Sequence, residues 1–134
     1  MMAPSTKRIA AISEEVATPS SAYSQAIIAG DLVITSGYLG TTPNGRGLVG
    51  GGFEAEVRQA LDNITAVLSA AGTSWSDVVR VNVSLTDVSR FSEMDEIYRG
   101  YAIPPYPARN TIGVAALWGG AQFGVDVIAV RTES

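Results

Sequence analysis

From Phe53 to Ala71 apolar residues recur every three to four positions. Val57, Leu61, Ile64, Leu68 and Ala71 form one stripe, with Arg58, Asp62 and Asn63 off it. That spacing predicts an amphipathic helix with a single buried face. Gly72 follows as a residue able to take the left-handed conformation that closes such a helix. From Val79 to Leu85 the period changes to two: Val79, Val81, Val83 and Leu85 alternate with Arg80, Asn82 and Ser84. This predicts a strand covered on one face. A second helix is predicted after Asp87 or Ser89, either of which can cap it, with Phe91, Met94, Ile97, Tyr98 and Tyr101 as its apolar stripe. Pro104, Pro105 and Pro107 end it and force an extended connection.

The remaining apolar runs are short and bounded by turn residues. Lys7 to Ser13 reads as an edge strand. Ala26 to Ala29 and Leu32 to Tyr38 are joined by Gly30-Asp31, a hairpin signal because Gly supplies the positive φ of a tight turn. A polar, glycine-rich loop runs from Gly40 to Gly52. Arg109 to Leu117 and Gln122 to Arg131 are two further strands, split around Gly119-Gly120. Three strands, a helix, a strand, a helix and two strands predict an α+β domain: one mixed six-stranded sheet with both helices on one face. The other face would then be open, and its apolar content calls for cover by another subunit.

Composition sharpens this picture. The 134 residues form one expected domain, 1–134, with residues 1–6 a flexible N-terminus. Apolar residues make up 46% and charged residues only 16%, which again points to apolar surface buried between chains. The net charge is −4, without a Lys/Arg run, so no nucleic-acid partner is expected. There is no Cys and no His. Disulfides, zinc–thiolate sites, thiol nucleophiles and the Ser–His–Asp triad are thereby excluded, and acid–base chemistry falls to carboxylates, Tyr, Lys, water or backbone. No stretch approaches the ~20 apolar residues of a membrane span, and Met1 to Ser13 lacks the apolar core of a signal peptide. The expected location is cytoplasmic, with the sequons at Asn63 and Asn82 unmodified.

Several motifs carry a chemical reading beside a structural one. Gly45 to Gly50 matches GxGxxG, but no parallel strand feeds it and no acidic residue follows at ribose-binding distance, so a loop tip is the better reading. Trp75 and Trp118 lie beside turns without interleaved basic residues, which suits packing or an interface rather than base stacking. Arg109 opens an apolar strand after Pro107-Ala108 with no acid near it in sequence. It is either one half of a distant salt bridge or a bidentate clamp for a carboxylate. Tyr23, within Ser21-Ala22-Tyr23-Ser24-Gln25, packs with its hydroxyl in water or lines a pocket. Asp126 lies inside the apolar run Phe123 to Val130, on the face of Gly124 and Ile128, where a carboxylate needs a partner or a role.

Three ordered segments together resemble the Rid (reactive intermediate deaminase, YjgF-like) family. They are Ala22-Tyr23-Ser24-Gln25-Ala26 with Ile34-Thr35-Ser36-Gly37, then Gln59 to Gly72 with Asp77-Val78-Val79-Arg80, and Pro107-Ala108-Arg109-Asn110. The resemblance implies a chorismate-mutase-like fold and a homotrimer with a central barrel and ligand clefts between subunits. It also implies hydrolysis of small carboxylate-bearing imines or enamines to a 2-keto acid and ammonia, without metal or cofactor. Carried over by position, Arg109 binds the substrate carboxylate. Thr111, Ser36 and Gly37 shape the pocket, and Tyr23 closes it from the adjacent chain. The chain departs from the pattern where the family's catalytic Glu falls on Gly124, with Asp126 at a second acidic position. It departs again at Asp95, where the family has Asn, and at Tyr38, where it has Gln. Asp95 or Asp126 could replace the acid. The alternatives are a carboxylate-binding homologue without hydrolysis, or a fold repurposed for tautomerisation, cyclisation or condensation of an imine. The family's link to RNA cleavage finds no support in the acidic balance.

Overall fold

In the computed structural model the described residues are 8–45 and 47–131; the expected flexible segment 1–6, Lys7 of the expected edge strand and Arg46 of the glycine-rich pattern lie outside them. The elements are β1 (Ile9–Ala11), β2 (Ala26–Ala29), β3 (Leu32–Thr35), α1 (Phe53–Ala70), β4 (Val78–Leu85), α2 (Phe91–Tyr98), β5 (Ala108–Gly113) and β6 (Phe123–Val130). They form one six-stranded sheet in the order β1-β2-β3-β6-β4-β5. Every neighbouring pair is antiparallel except β4 and β5, which run parallel on either side of the α2 crossover. The expected mixed α+β sheet is therefore observed.

The hairpin between β2 and β3 turns on Gly30, whose φ of 61° is reached without the clash a side chain would add. The stripe of α1 is buried as its period requires: Val57, Leu61, Ile64 and Leu68 are fully enclosed. They pack on Val81, Val83 and Leu85 of β4 and on Phe123, Val125 and Val127 of β6. Met94, Ile97 and Tyr98 add the buried face of α2. Gly72 takes a φ of 80° just beyond α1. Asp87 accepts the Ser89 backbone N–H at 3.0 Å, capping a short 3-10 turn, Val88–Arg90, that leads into α2.

Four details differ from the sequence expectation. The strand register slips between Val78 and Arg80, so Val78 takes the buried position and Val79 is turned outward. β3 ends at Thr35, and Tyr38 rejoins the sheet only as an isolated bridge to Val125. β5 ends at Gly113 rather than Leu117. Asn63, off the apolar stripe, is nonetheless buried: its amide donates to the carbonyls of Leu39 and Thr41 at 3.1 and 3.0 Å. It thereby ties the loop after Tyr38 to α1.

Candidate functional site

The face of the sheet away from the helices follows from the ladder register. Asn82 is level with both Asn110 and Asp126, and these three lie on that face with Gly124 and Ile128. Arg109 is level with Val81, a core residue, and so projects on the helix side at the outer edge of the sheet. Thr111, level with Val83, shares that side.

There Arg109 meets α2. Its Nη1 donates to Oδ1 of Asp95 at 2.8 Å, and both side chains are 20% exposed. Oδ2 of the same carboxylate accepts from Nε of Arg99, one helical turn on, at 3.2 Å. The Arg109 guanidinium also lies 4.8 Å from the Tyr98 ring centre and 5.3 Å from that of Phe91. Both distances are within the range of cation–π attraction. Together Asp95, Tyr98, Arg99, Tyr106, Pro107 and Arg109 line an open cavity of about 290 Å³. Its lining carries two positive charges against one negative. Tyr98 places a buried hydroxyl without a hydrogen-bond partner in the wall. Burial pushes that hydroxyl's pKa up, and the positive charge of Arg109 opposes the shift.

The structure shows the distant salt bridge: Arg109 lines a cavity, and the Asp95 carboxylate of its own chain engages it through one contact. Asp95 joins Arg109 there, whereas Asp126 does not. Asp126 accepts the Asn82 amide at 2.9 Å on the opposite face, which satisfies one of its oxygens. Arg99 and Tyr106 also line the cavity, although sequence reasoning did not single them out. The Asp95–Arg99 spacing of four was a readable helix pair.

The other expected site residues gather elsewhere. Tyr23 stands at the mouth of a second cavity of about 330 Å³ with Leu39, Thr41, Leu48 and Trp118. Trp118 is 87% exposed there, in a turn where Gly119 and Gly120 take positive φ. The position of Gly124 faces the same region: a Cβ on it would lie 3.4 Å from Leu39 and 3.7 Å from Leu117. Ser36 is engaged, its hydroxyl donating to Ser24 O at 2.6 Å and its N–H to Gln25 O at 3.0 Å. Gly37 has open space where a side chain would go. The Tyr38 ring points into the core, and burial, followed by the nearby Tyr23, holds its hydroxyl well above the usual phenol range. Trp75 is core: its indole N–H donates to Thr65 Oγ1 at 2.8 Å and its ring meets Tyr98 edge-on. Among the described residues no group of three or more His, Cys, Asp or Glu is arranged to hold a metal ion. No helix among them is long and apolar enough to cross a membrane.

Comparison with known proteins agrees with this fold. Residues 14–131 match the family described as endoribonuclease L-PSP. The human protein named 2-iminobutanoate/2-iminopropanoate deaminase is 37% identical over 109 residues, covering 81% of this chain and 80% of that protein. The chloroplastic Reactive Intermediate Deaminase A of Arabidopsis thaliana is 37% identical over 127 residues, covering 95% of this chain and 68% of its own. The crystal structure of RidA from an Antarctic Psychrobacter species superposes with a TM-score of 0.87 at 38% identity, over 92% of this chain and 99% of that one. Sequence motifs, sheet order and superposition converge, and the chain belongs to the endoribonuclease L-PSP family, the Rid proteins.

Proposed function

We propose that this protein hydrolyses a small imine or enamine bearing a carboxylate, releasing a 2-keto acid and ammonia. The observation that carries this reading is the Arg109 guanidinium, close to the Tyr98 and Phe91 rings at the wall of a cavity sized for a small metabolite. A planar guanidinium fork suits a planar carboxylate, and orienting the adjacent imine carbon for attack by water turns a loose encounter into a reactive geometry. The names of the relatives, 2-iminobutanoate/2-iminopropanoate deaminases, supply the same substrate class.

The two cavities are read as complementary halves of one site. One copy contributes Arg109 and Thr111, and a neighbour contributes Tyr23, the Ser36-Gly37 backbone and the surface around Gly124. In support, the face opposite the helices exposes Ile34 and Val130, apolar surface that further copies in a homotrimer would cover. A second reading, carboxylate binding without turnover, is favoured by the carboxylates themselves. Asp95 has both oxygens engaged by guanidinium groups, Asp126 faces away, and Gly124 has no side chain.

Supplying 2-iminopropanoate from a serine dehydratase and following pyruvate and ammonia separates the two readings. Release faster than buffer, lost in Arg109→Ala, supports hydrolysis. Release equal to buffer together with Arg109-dependent pyruvate binding selects the binding protein.

A further inference from the structure

The Arg109 clamp is already partly filled by its own chain. Asp95 gives one oxygen to Arg109 at 2.8 Å and the other to Arg99 at 3.2 Å, and both contacts line the same cavity. Their environments differ: Asp95 and Arg109 are each 20% exposed, whereas the Arg99 side chain is 59% exposed. An incoming carboxylate that uses the fork of Arg109 must displace Oδ1 of Asp95, and a half-buried carboxylate left without a partner is costly. Arg99 removes that cost, because it already holds Oδ2 and can take the whole carboxylate with a small rotation of a solvated side chain.

We infer that Asp95 is an internal competitor for the substrate carboxylate on Arg109, and that Arg99 receives Asp95 when the ligand displaces it. Asp95 and Arg99 are then positioning residues that set affinity, not groups that act on the reacting atoms. The inference rests on the reading of Arg109 as the carboxylate anchor and assigns the residues that tune it. It explains why a cavity with a surplus positive charge places an acid on the group its ligand needs. The exchange keeps Asp95 paired in both the free and the bound state.

Binding of pyruvate, a non-reacting 2-keto carboxylate, measured by calorimetry on the intact protein, tests this in four variants. Asp95→Asn, which is isosteric and keeps an acceptor oxygen but loses the charge, tightens binding by about tenfold, the scale of the difference between displacing a charge-assisted and a neutral hydrogen bond. Arg99→Gln weakens it by about threefold, the scale of a solvent-exposed ion pair. Arg99→Lys restores it, and Asp95→Asn/Arg99→Gln binds like Asp95→Asn alone. In the imine assay the same variants shift KM in the same directions and leave kcat unchanged. Weaker binding in Asp95→Asn overturns the inference, since Asp95 would then orient Arg109 rather than compete for it. An Arg99→Gln loss that persists beside Asp95→Asn also overturns it, because Arg99 would be touching the ligand directly. Arg109→Ala keeps the underlying reading separate: if it binds pyruvate as the wild type does, the anchor assignment fails and the inference falls with it. If it loses binding while Asp95→Asn gains none, the inference alone fails.

Discussion

Arg109 and Asp126 stand on opposite faces of one sheet. Arg109 is level with the buried Val81 and Asp126 with Asn82, its neighbour along β4. Within one chain the two cannot act on one small molecule, and the hydrogen bond from Asn82 gives Asp126 a structural task. Asp126→Ala is expected to cost about 1 kcal/mol by leaving that amide half-buried without its acceptor. Asp126→Asn, which retains an acceptor oxygen, should stay within about 0.5 kcal/mol of the wild type. Pyruvate affinity should be unchanged in both. Urea unfolding and calorimetry on the same samples check the pair, and a large affinity loss in Asp126→Asn would return Asp126 to the ligand site.

The parts of the fold legible in the sequence were those where one local pattern decides the outcome. The α1 stripe from Val57 to Leu68 and the Gly30-Asp31 turn each depend on a few neighbouring residues. Val79 failed because a register slip moved its place in the core to Val78, and alternation cannot reveal where a strand slips. Asn63 failed because its partners, the Leu39 and Thr41 carbonyls, lie 24 and 22 residues away. The Arg109–Asp95 ion pair was half legible. A lone Arg after Pro107-Ala108 could be noticed, but its engagement by Asp95 depends on how the connection from α2 to β5 returns, which no spacing rule supplies.

Gly40 is expected to be the glycine least open to change in the loop that leads from Tyr38 past the Tyr23 cavity. A Cβ there would lie 2.5 Å from the carbonyl oxygen of Glu56 and 2.7 Å from its Cα, both backbone atoms of α1 that cannot step aside. Glu56 is further fixed by two contacts from Gln122, at 2.9 and 3.0 Å. Gly40→Ala should therefore destabilise by about 1–3 kcal/mol or more, the usual cost of forcing atoms into a packed interior. Gly37→Ala, where a Cβ meets nothing within 4 Å, should fall within about 0.5 kcal/mol of the wild type. Denaturant midpoints of the two variants make the comparison.

Stability should decline on the alkaline side through identifiable tyrosines. Partial burial, followed by a 2.7 Å hydrogen bond donated to Asp62, pushes the pKa of Tyr101 up to about 12. A folded-state value raised above the unfolded one contributes stability that is complete below the unfolded value, near 10, and is lost as the pH climbs to about 12. Tyr38, shifted further in the same direction, extends the decline. The urea midpoint should be insensitive to Tyr101 titration at pH 9 and fall between pH 10 and 12, with a shallower slope in Tyr101→Phe. An unchanged slope in that variant would assign the alkaline loss to other groups.

Gly124→Glu asks whether the second cavity can still host an acid. The backbone permits the change: Gly124 does not have a positive φ, and the nearest atoms to its Cβ would be the ends of the Leu39 and Leu117 side chains, at 3.4 to 3.7 Å. Those contacts are with the flexible ends of leucine side chains, which can give way to a longer group. A carboxylic acid delivered beside the Tyr23 cavity would supply the ordered water and proton transfer that Asp95, engaged by two arginines, and Asp126, held by Asn82, are not placed to give. General acid–base catalysis typically contributes about 10²–10⁴-fold. Gly124→Glu is therefore expected to raise kcat on 2-iminopropanoate by at least the lower end of that range, with KM little altered because Arg109 is untouched. The gain should vanish in Gly124→Glu/Arg109→Ala, where the carboxylate is no longer anchored opposite the new acid. A folded variant with no gain would mean that Leu39 and Leu117 turn the acid away from the bound imine, and hence that this pocket has been reshaped for a different substrate.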